Sequence, residues 1–546
     1  MNLSWIFPEN KNSYKRKERL LIISIIIFSV IISIYCQRPL FINDYAINDD
    51  VRQENYVFIK YVDRELFKND FITDFYAKWA PWGLNIFYFI ISMFYDPIKF
   101  TKIFPIFLCP ILSVYMYKIG KLIGSNSIIA GLLVSFLFIL TIWSAEEGIY
   151  IGLGGASNFG LILYILFIYY FLKKDLWKIS IILLLQSLFY PPNLLICLLT
   201  LLLYILHNWI VYKKAEKKVI IHFIGSLVVV LSFLLLKYTN GNLRLFGLSE
   251  IINMPEFYPG GRKPLFFPSL YGQLTNCETG FAVLYPIRYL FLVSLLLIIF
   301  LKKKIVRFPE EIWLFILSSF ILFIVATIMI YRLYGPARYV RFTLPFLLIL
   351  FVSLNIEKLI NKMRQKNIRL IILSSFFIFN IFLFLPKLNS DYSIAPYPDL
   401  YKFLETLPKD VFIAGYPTSM DFVPVYAKRK VLINEETARP MYKDFYPTIK
   451  ERTYDFFTAY YSDSPKLIYN FCKKYNITYI VVESLHFTED FLAQKQIYLN
   501  PFNDYIKKIT RDKREFALLR VPKTEIMYEK GDVFVVEIKK SNFWLQ

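Results

Sequence analysis

Two adjacent carboxylates, Asp49 and Asp50, stand close behind the first long apolar run, in FINDYAINDDVRQENYVFIKYVDRELF. Neighbouring acids repel, so one of them tends to hold its proton to higher pH. A carboxylate tuned in that way suits a general base or a ligand to a divalent metal ion. Helix capping is the alternative, because Asp is favoured at helix N-termini. A second pair, Glu146 and Glu147, occurs in WSAEEGIYIGLGGASNFG, where the following glycines let backbone approach a ligand closely. Its alternative is a solvated loop. The third cluster is cationic: Arg332, Arg338 and Arg341 in RLYGPARYVRF. Guanidinium forks match phosphate oxygens, so these arginines are candidate lipid-phosphate ligands, with snorkelling towards headgroups as the alternative. Arg262 and Lys263, presented by the Gly-Gly turn of EFYPGGRKPLFFPSLYG, carry a weaker signal of the same kind. The five cysteines form no CxxC pair, and His207, His222 and His486 are too scattered for a histidine-based metal site. His207 and His222 lie in apolar runs and read as packing residues.

These groups must be positioned by elements of unusual composition. The chain of 546 residues is 56% hydrophobic and 19% aromatic, only 19% of it is charged, and its mean hydropathy is +0.45. A soluble chain of this length could not bury so much apolar surface, which excludes a cytosolic enzyme, a disordered protein and a disulfide-stapled secreted module. A polytopic α-helical membrane protein remains. Eleven apolar runs are candidate spans, at about 20–36, 103–120, 127–143, 159–172, 178–190, 193–211, 219–237, 281–301, 310–331, 342–356 and 370–386. If each crosses once, six connectors rich in Lys and Arg share one side: 11–19, 118–121, 173–178, 213–218, 302–307 and 358–369. Together they hold 23 basic and three acidic residues. That side is the cytoplasm. Most of the formal charge of +21 is therefore a topology signal, and nucleic acid is not an expected partner. Residues 82–95 are too short to cross, and a crossing there would turn the later basic connectors outward. They are expected to be half-inserted or to lie on the membrane.

The expected organisation is a basic cytoplasmic N-terminus (1–19), a membrane domain (20–386) with outer loops at 37–102 and 238–280, and an outer domain (387–546). Within the first loop, 49–67 is expected to lie on the membrane surface as an amphipathic helix. The tail has nearly balanced charge, 24 basic against 21 acidic residues, and strand-like runs at 410–417, 430–435, 477–484, 516–521 and 532–539. LIYNFCKKYN ahead of ITYIVV reads as a helix feeding a strand, so a mixed α/β domain is expected. Apart from Arg288, Lys237 near a span end and the two histidines, the span interiors carry almost no ionisable residues. An ion-coupled transporter would need them. The polar chemistry gathers on the outer face, as for an enzyme of the membrane boundary acting on a lipid-linked substrate.

An anchor helix, an acidic first outer loop, a second acidic outer loop and an outer arginine cluster together resemble the GT-C glycosyltransferases. That superfamily includes protein O-mannosyltransferases, aminoarabinose transferases of lipid A and the catalytic subunit of oligosaccharyltransferase. The segment DDVRQENYVFIKYVDRELFKNDFITDFYAKWAPWG is similar to one found in a group of bacterial multi-pass proteins of this type. The resemblance covers roughly 20–360. It implies a base at Asp49 or Asp50 that deprotonates the acceptor, sometimes with a metal ion. It also implies a second acidic motif at Glu146 and Glu147, and a phosphate-binding arginine at Arg338 or Arg341. The donor it implies is a polyprenyl-phosphate-linked sugar, and the acceptor a cell-envelope glycan, lipid or protein at the outer face of the plasma membrane. The WWDxG-type signature of oligosaccharyltransferase is missing from the outer domain, which speaks against that activity. No histidine stands where some relatives have a zinc ligand, so a divalent ion is left open. A non-catalytic scaffold or a lipid-binding or flipping protein is the alternative function.

Overall fold

The computed structural model describes residues 11–545 except 145–150, 152–153, 215, 242, 277, 282–286, 302–304, 334, 391, 513–514 and 539–541. Glu146 and Glu147 lie outside the described residues. The order up to residue 144 is α1 (Lys11–Ile42), β1 (Ala46–Ile47), α2 (Phe71–Trp79), α3 (Trp82–Ser92), α4 (Pro97–Ile123) and α5 (Ile128–Ser144). Then follow α6 (Ala156–Leu172), α7 (Leu176–Phe189), α8 (Pro191–Tyr212), α9 (Lys217–Gly241), α10 (Leu248–Ile251) and α11 (Leu270–Thr275). The last helices before the outer domain are α12 (Ile287–Leu301), α13 (Glu310–Met329), α14 (Ala337–Val340), α15 (Thr343–Lys362) and α16 (Lys366–Phe384).

Each of the eleven apolar runs falls largely on one of these helices. Among the described residues seven helices are long and apolar enough to cross a bilayer: α1, α4, α8, α9, α13, α14 continuing into α15, and α16. Helices α5, α6, α7 and α12 are apolar but shorter. α5 is buried nearly all round, so it runs through the middle of the bundle. α4 and α5 touch through glycine: a Cβ on Gly131 would stand 2.7 Å from Tyr117, and one on Gly120 would stand 2.7 Å from Val134. Such small residues let helix backbones approach where lipid supplies no hydrophobic drive. The peripheral helices instead leave large side chains uncovered, among them Ile221, Leu235, Ile299, Ile378 and Phe382. A belt of that size is unfavourable in water and suits hydrocarbon. α3 has 11 residues, about 16 Å of helix, or half the thickness of a hydrocarbon core.

The segment after α1 departs from expectation. Residues 49–67 do not lie on a membrane surface as one amphipathic helix. They form a π turn (Val51–Asn55), a 3-10 turn (Tyr56–Tyr61) and irregular chain. Tyr56, Val57, Phe58 and Ile59 are all buried, packed in one cluster with Leu400, Tyr401, Ile413 and Met420 of the C-terminal region. Four consecutive apolar residues have no 3.6-residue period. They are covered from both sides, by α3 and by the C-terminal domain.

Beyond α16 the chain builds a five-stranded sheet in the order β4-β3-β5-β7-β6, from β3 (Phe412–Ala414), β4 (Lys430–Val431), β5 (Tyr479–Glu483), β6 (Ile526–Lys530) and β7 (Val533–Glu537). β3 pairs parallel to β4 and β5, and β7 antiparallel to β5 and β6. The helix Pro465–Tyr475 leads into β5 as expected. Residues 517–520 form a 3-10 turn, so the expected strand at 516–521 is replaced by β6. A further strand, β2 (Ser393–Ile394), pairs antiparallel with β1, Ala46 opposite Ile394. This pairing ties the exit of α1 to the entrance of the outer domain and fixes the backbone immediately before Asp49.

Candidate functional site

A cavity of about 320 Å³ opens where the segment after β1, the N-terminal ends of α6 and α8, the 243–278 loop and residues 436–442 meet. Asp49, Asp50, Arg262 and Arg338 all line it, so residues separated by almost 300 positions converge. Glu54, Lys263, Glu278, Glu436 and Arg439 complete its charged wall. Arg341 is not in the wall, but its charge acts on Asp50 and Glu278. Arg332 is exposed and does not line it.

The two aspartates differ in role. Asp49 accepts from Arg52 Nη2 at 2.5 Å and Nε at 3.0 Å, and its other oxygen accepts from Gln53 Nε2 at 3.1 Å. Asp50 precedes the π turn but makes no side-chain cap, which removes the capping explanation for that residue. Among the described residues its carboxylate accepts no hydrogen bond. Burial pushes its pKa up and Asp49 adds to the rise, while Arg439, Arg338 and Arg341 oppose it. One turn on, Glu54 pairs with Arg439 at 3.0 Å. Burial and then Asp50 nevertheless carry Glu54 up to about 7. Both acids are therefore raised by burial and held in the field of the same guanidinium groups.

The cationic wall is held by long-range contacts. Arg439 Nε donates to Tyr76 Oη at 2.9 Å, and Nη2 donates to Gln53 Oε1 at 3.2 Å. Its guanidinium lies 5.3 Å from the Trp79 ring. Arg338 Nη1 donates to the Tyr190 hydroxyl at 3.5 Å. Lys263 and Glu278 form an ion pair at 2.7 Å. Lys263 holds the Glu278 carboxyl far below the usual range, with Arg338 and Arg341 adding to the effect. The Glu278 carbonyl accepts from Ala337 N at 3.2 Å, and a Cβ on Gly335 would meet that carbonyl at 2.7 Å. The arginine connector therefore rests on the outer loop through a glycine that nothing larger could replace.

Arg262 was expected to offer its guanidinium to a lipid phosphate, and its surroundings give it another task. It binds Glu436 at 2.5 Å and donates to the carbonyls of Glu435 and Glu436 at 2.9 and 3.0 Å. Arg52 reaches the same Glu436 at 2.9 Å. Glu436 is thus clamped between the first outer segment and the later loop. The later loop is also stapled to the outer domain by Phe246 N to Met441 O at 3.1 Å and Lys443 N to Arg244 O at 2.8 Å.

Arg439, Glu436, Glu54 and Glu278 carry no motif visible in the sequence. One signal was available for the first two: NEETARP follows the C-terminal end of a parallel strand, where open α/β sheets present their polar residues. Among the described residues no three His, Cys, Asp or Glu side chains are arranged to hold a metal ion, and both oxygens of Asp49 are engaged by side chains.

No protein-family model matches the chain, and no curated protein sequence matches it. Solved structures do. The oligosaccharyltransferase of Archaeoglobus fulgidus, tethered to an acceptor peptide containing the NVT sequon, superposes with a TM-score of 0.52 at 10% identity, over 86% of this chain and 70% of its own. The same enzyme, named AglB, in complex with an inhibitory peptide and a dolichol-phosphate gives 0.53 at 10% identity over the same shares. The chain shares the fold of these structures, membrane helices followed by a sheet-containing C-terminal domain.

Proposed function

We propose that the chain is a membrane glycosyltransferase that moves a sugar from a polyprenyl-phosphate carrier to an acceptor at the outer face of the membrane. The observation that carries the reading is the convergence of a raised, unbonded carboxylate, Asp50, with Arg338, Arg439 and Lys263 in one cavity beside the membrane helices. The dolichol-phosphate held by the archaeal relative of the same fold supports a lipid-linked donor. In this reading Asp50 takes the proton of the acceptor nucleophile as it attacks the anomeric carbon. The sugar–phosphate bond breaks with inversion, and Arg338, with Arg341 behind it, stabilises the charge left on the phosphate. Glu54 shares the proton that Asp50 receives, and Arg439 holds Glu54. No step is routed through a metal ion.

The acceptor is proposed to be a cell-envelope glycan, lipid or protein other than a sequon peptide, because the tail lacks the WWDxG-type signature. Glu146 and Glu147 are proposed to flank the acceptor from the second loop. Purified Asp50→Asn protein, supplied with polyprenyl-phosphate sugar and membrane acceptors, is expected to transfer on the order of 10²–10⁴-fold more slowly than wild type. Donor binding is expected to survive. Full transfer by Asp50→Asn would refute Asp50 as the base, and no transfer by wild type would leave a scaffold or a lipid-flipping protein.

A further inference from the structure

A second cavity, about 440 Å³, shares no lining residue with the first. It lies where the end of α1 (Leu40, Phe41), the start of α4 (Lys99, Lys102) and the outer domain (Tyr426, Lys428) meet. α1 and α4 are both spanning helices, and the cavity sits at their outer ends. Around its mouth Ile42, Met93, Phe94 and Tyr95 are strongly exposed, Phe94 to 83%. Aromatic and apolar side chains uncovered at that level are typical of the headgroup boundary.

The charges inside are only partly spent on one another. Glu405 is bound by Lys428 at 2.8 Å, and Asp96 caps α4 by accepting from Lys99 N at 2.8 Å. Lys99 and Lys102 stand one turn apart, so their ammonium groups face the same side and repel. Lys102 donates to the Leu40 carbonyl at 2.9 Å, and among the described residues neither lysine forms an ion pair. Asp44 also lines the cavity without an ion pair among the described residues. The buried Tyr426 hydroxyl has no hydrogen-bond partner among the described residues. Three lysines and three carboxylates leave the lining neutral as a whole, which disfavours a purely anionic occupant. Asp44 and Asp96 attract Lys102 only at longer range, and two cations without an ion pair among the described residues, beside one such carboxylate, match a group that is itself a phosphate next to an amine.

We propose that this cavity holds the zwitterionic headgroup of a membrane phospholipid carrying a primary amine, its phosphodiester between Lys99 and Lys102 and its ammonium at Asp44. The acyl chains would descend along the exposed faces of α1 and α3. The chemistry is shared with soluble glycerophosphoethanolamine, so the source has to be separated by experiment.

Full-length protein in detergent is titrated with dioleoyl phosphatidylethanolamine, phosphatidylcholine or phosphatidylglycerol, and retained lipid is read by native mass spectrometry. Wild type is expected to retain the ethanolamine lipid about tenfold better than the other two, since only it offers both a phosphate and a hydrogen-bonding ammonium. Lys99→Gln/Lys102→Gln is expected to lose roughly thirtyfold in retention, from two cations removed near a lipid phosphate. Asp44→Asn should erase the preference for the amine. Equal retention of all three lipids by wild type, or variants that behave as wild type, would overturn the proposal. Displacement of the lipid by equimolar glycerophosphoethanolamine would overturn the lipid assignment. A measurement that needs no variant uses a phosphatidylethanolamine carrying a diazirine near its headgroup. Wild-type protein should be labelled within 40–45 and 98–103, and labelling confined to other segments would refute the site.

Discussion

Glu54→Gln offers the sharpest probe of the cavity's electrostatics. In wild type burial and then Asp50 raise Glu54 to about 7, while burial and Asp49 raise Asp50 above its ordinary value. Asp50 must be ionised to act as a base, so transfer should rise with pH as Asp50 loses its proton. Side chains four residues apart stand about 6 Å from one another, and two unit charges at that distance interact by about 3 kcal/mol at an effective dielectric of 20. That is roughly two pKa units. Arg439 pairs with Glu54 at 3.0 Å and already offsets part of the effect, so about one unit is the expected change. In Glu54→Gln the negative neighbour is gone and Arg439 acts on Asp50 alone, so the Asp50 pKa falls. The low-pH limb of kcat/KM should therefore move down by about one unit while the plateau at high pH changes little. The assay is sugar transfer from a polyprenyl-phosphate donor at intervals between about pH 5 and pH 9, a range that brackets the titration of Glu54. A limb that stays in place, or moves up, would refute the coupling and with it the part assigned to Glu54.

The remaining expectations concern architecture and positioning. Gly335→Ala should drive a methyl group into the Glu278 carbonyl and cost about 1–3 kcal/mol, read as a lower midpoint of thermal unfolding in detergent. Arg52→Met should leave Asp49 and Glu436 without a shared cation and lower stability by about 3 kcal/mol, with Lys at the same position restoring part of it; an unchanged midpoint would mean the clamp contributes nothing. Reporter fusions after Lys121, Lys218 and Arg369 should read cytoplasmic, and fusions after Asn158 and at Gln546 external. An external signal after Lys121 would mean that α3 crosses and that the orientation is inverted from there on.

The membrane helices could be read directly because lipid imposes a simple code: long apolar runs with basic ends on one side. Even the anomalous run at 82–95 announced its shortness. Asp49 and Asp50 stood out in the sequence as adjacent carboxylates and Arg338 as one of three clustered arginines, and all three line one cavity. The stretch 49–67 misled because its spacing allows an amphipathic helix, whereas the run Tyr56–Ile59 is buried under a domain that begins more than 300 residues later. Glu278 was invisible, and Arg439 and Glu436 were marked only by their place after a parallel strand, because their significance comes from tertiary pairing. Arg262 looked free in sequence, and only Glu436, 174 positions away, reveals it as a clamp.

The most direct test of the central claim is lipid and glycan profiling of a strain lacking the protein, complemented either with wild type or with Asp50→Asn expressed to the same level in the membrane. The account predicts that the deletion strain accumulates one polyprenyl-phosphate sugar and loses one envelope glycoconjugate. Wild type should reverse both changes and Asp50→Asn neither. Restoration of the glycoconjugate by Asp50→Asn, or a deletion strain with an unchanged pool of polyprenyl-linked sugars, would contradict it.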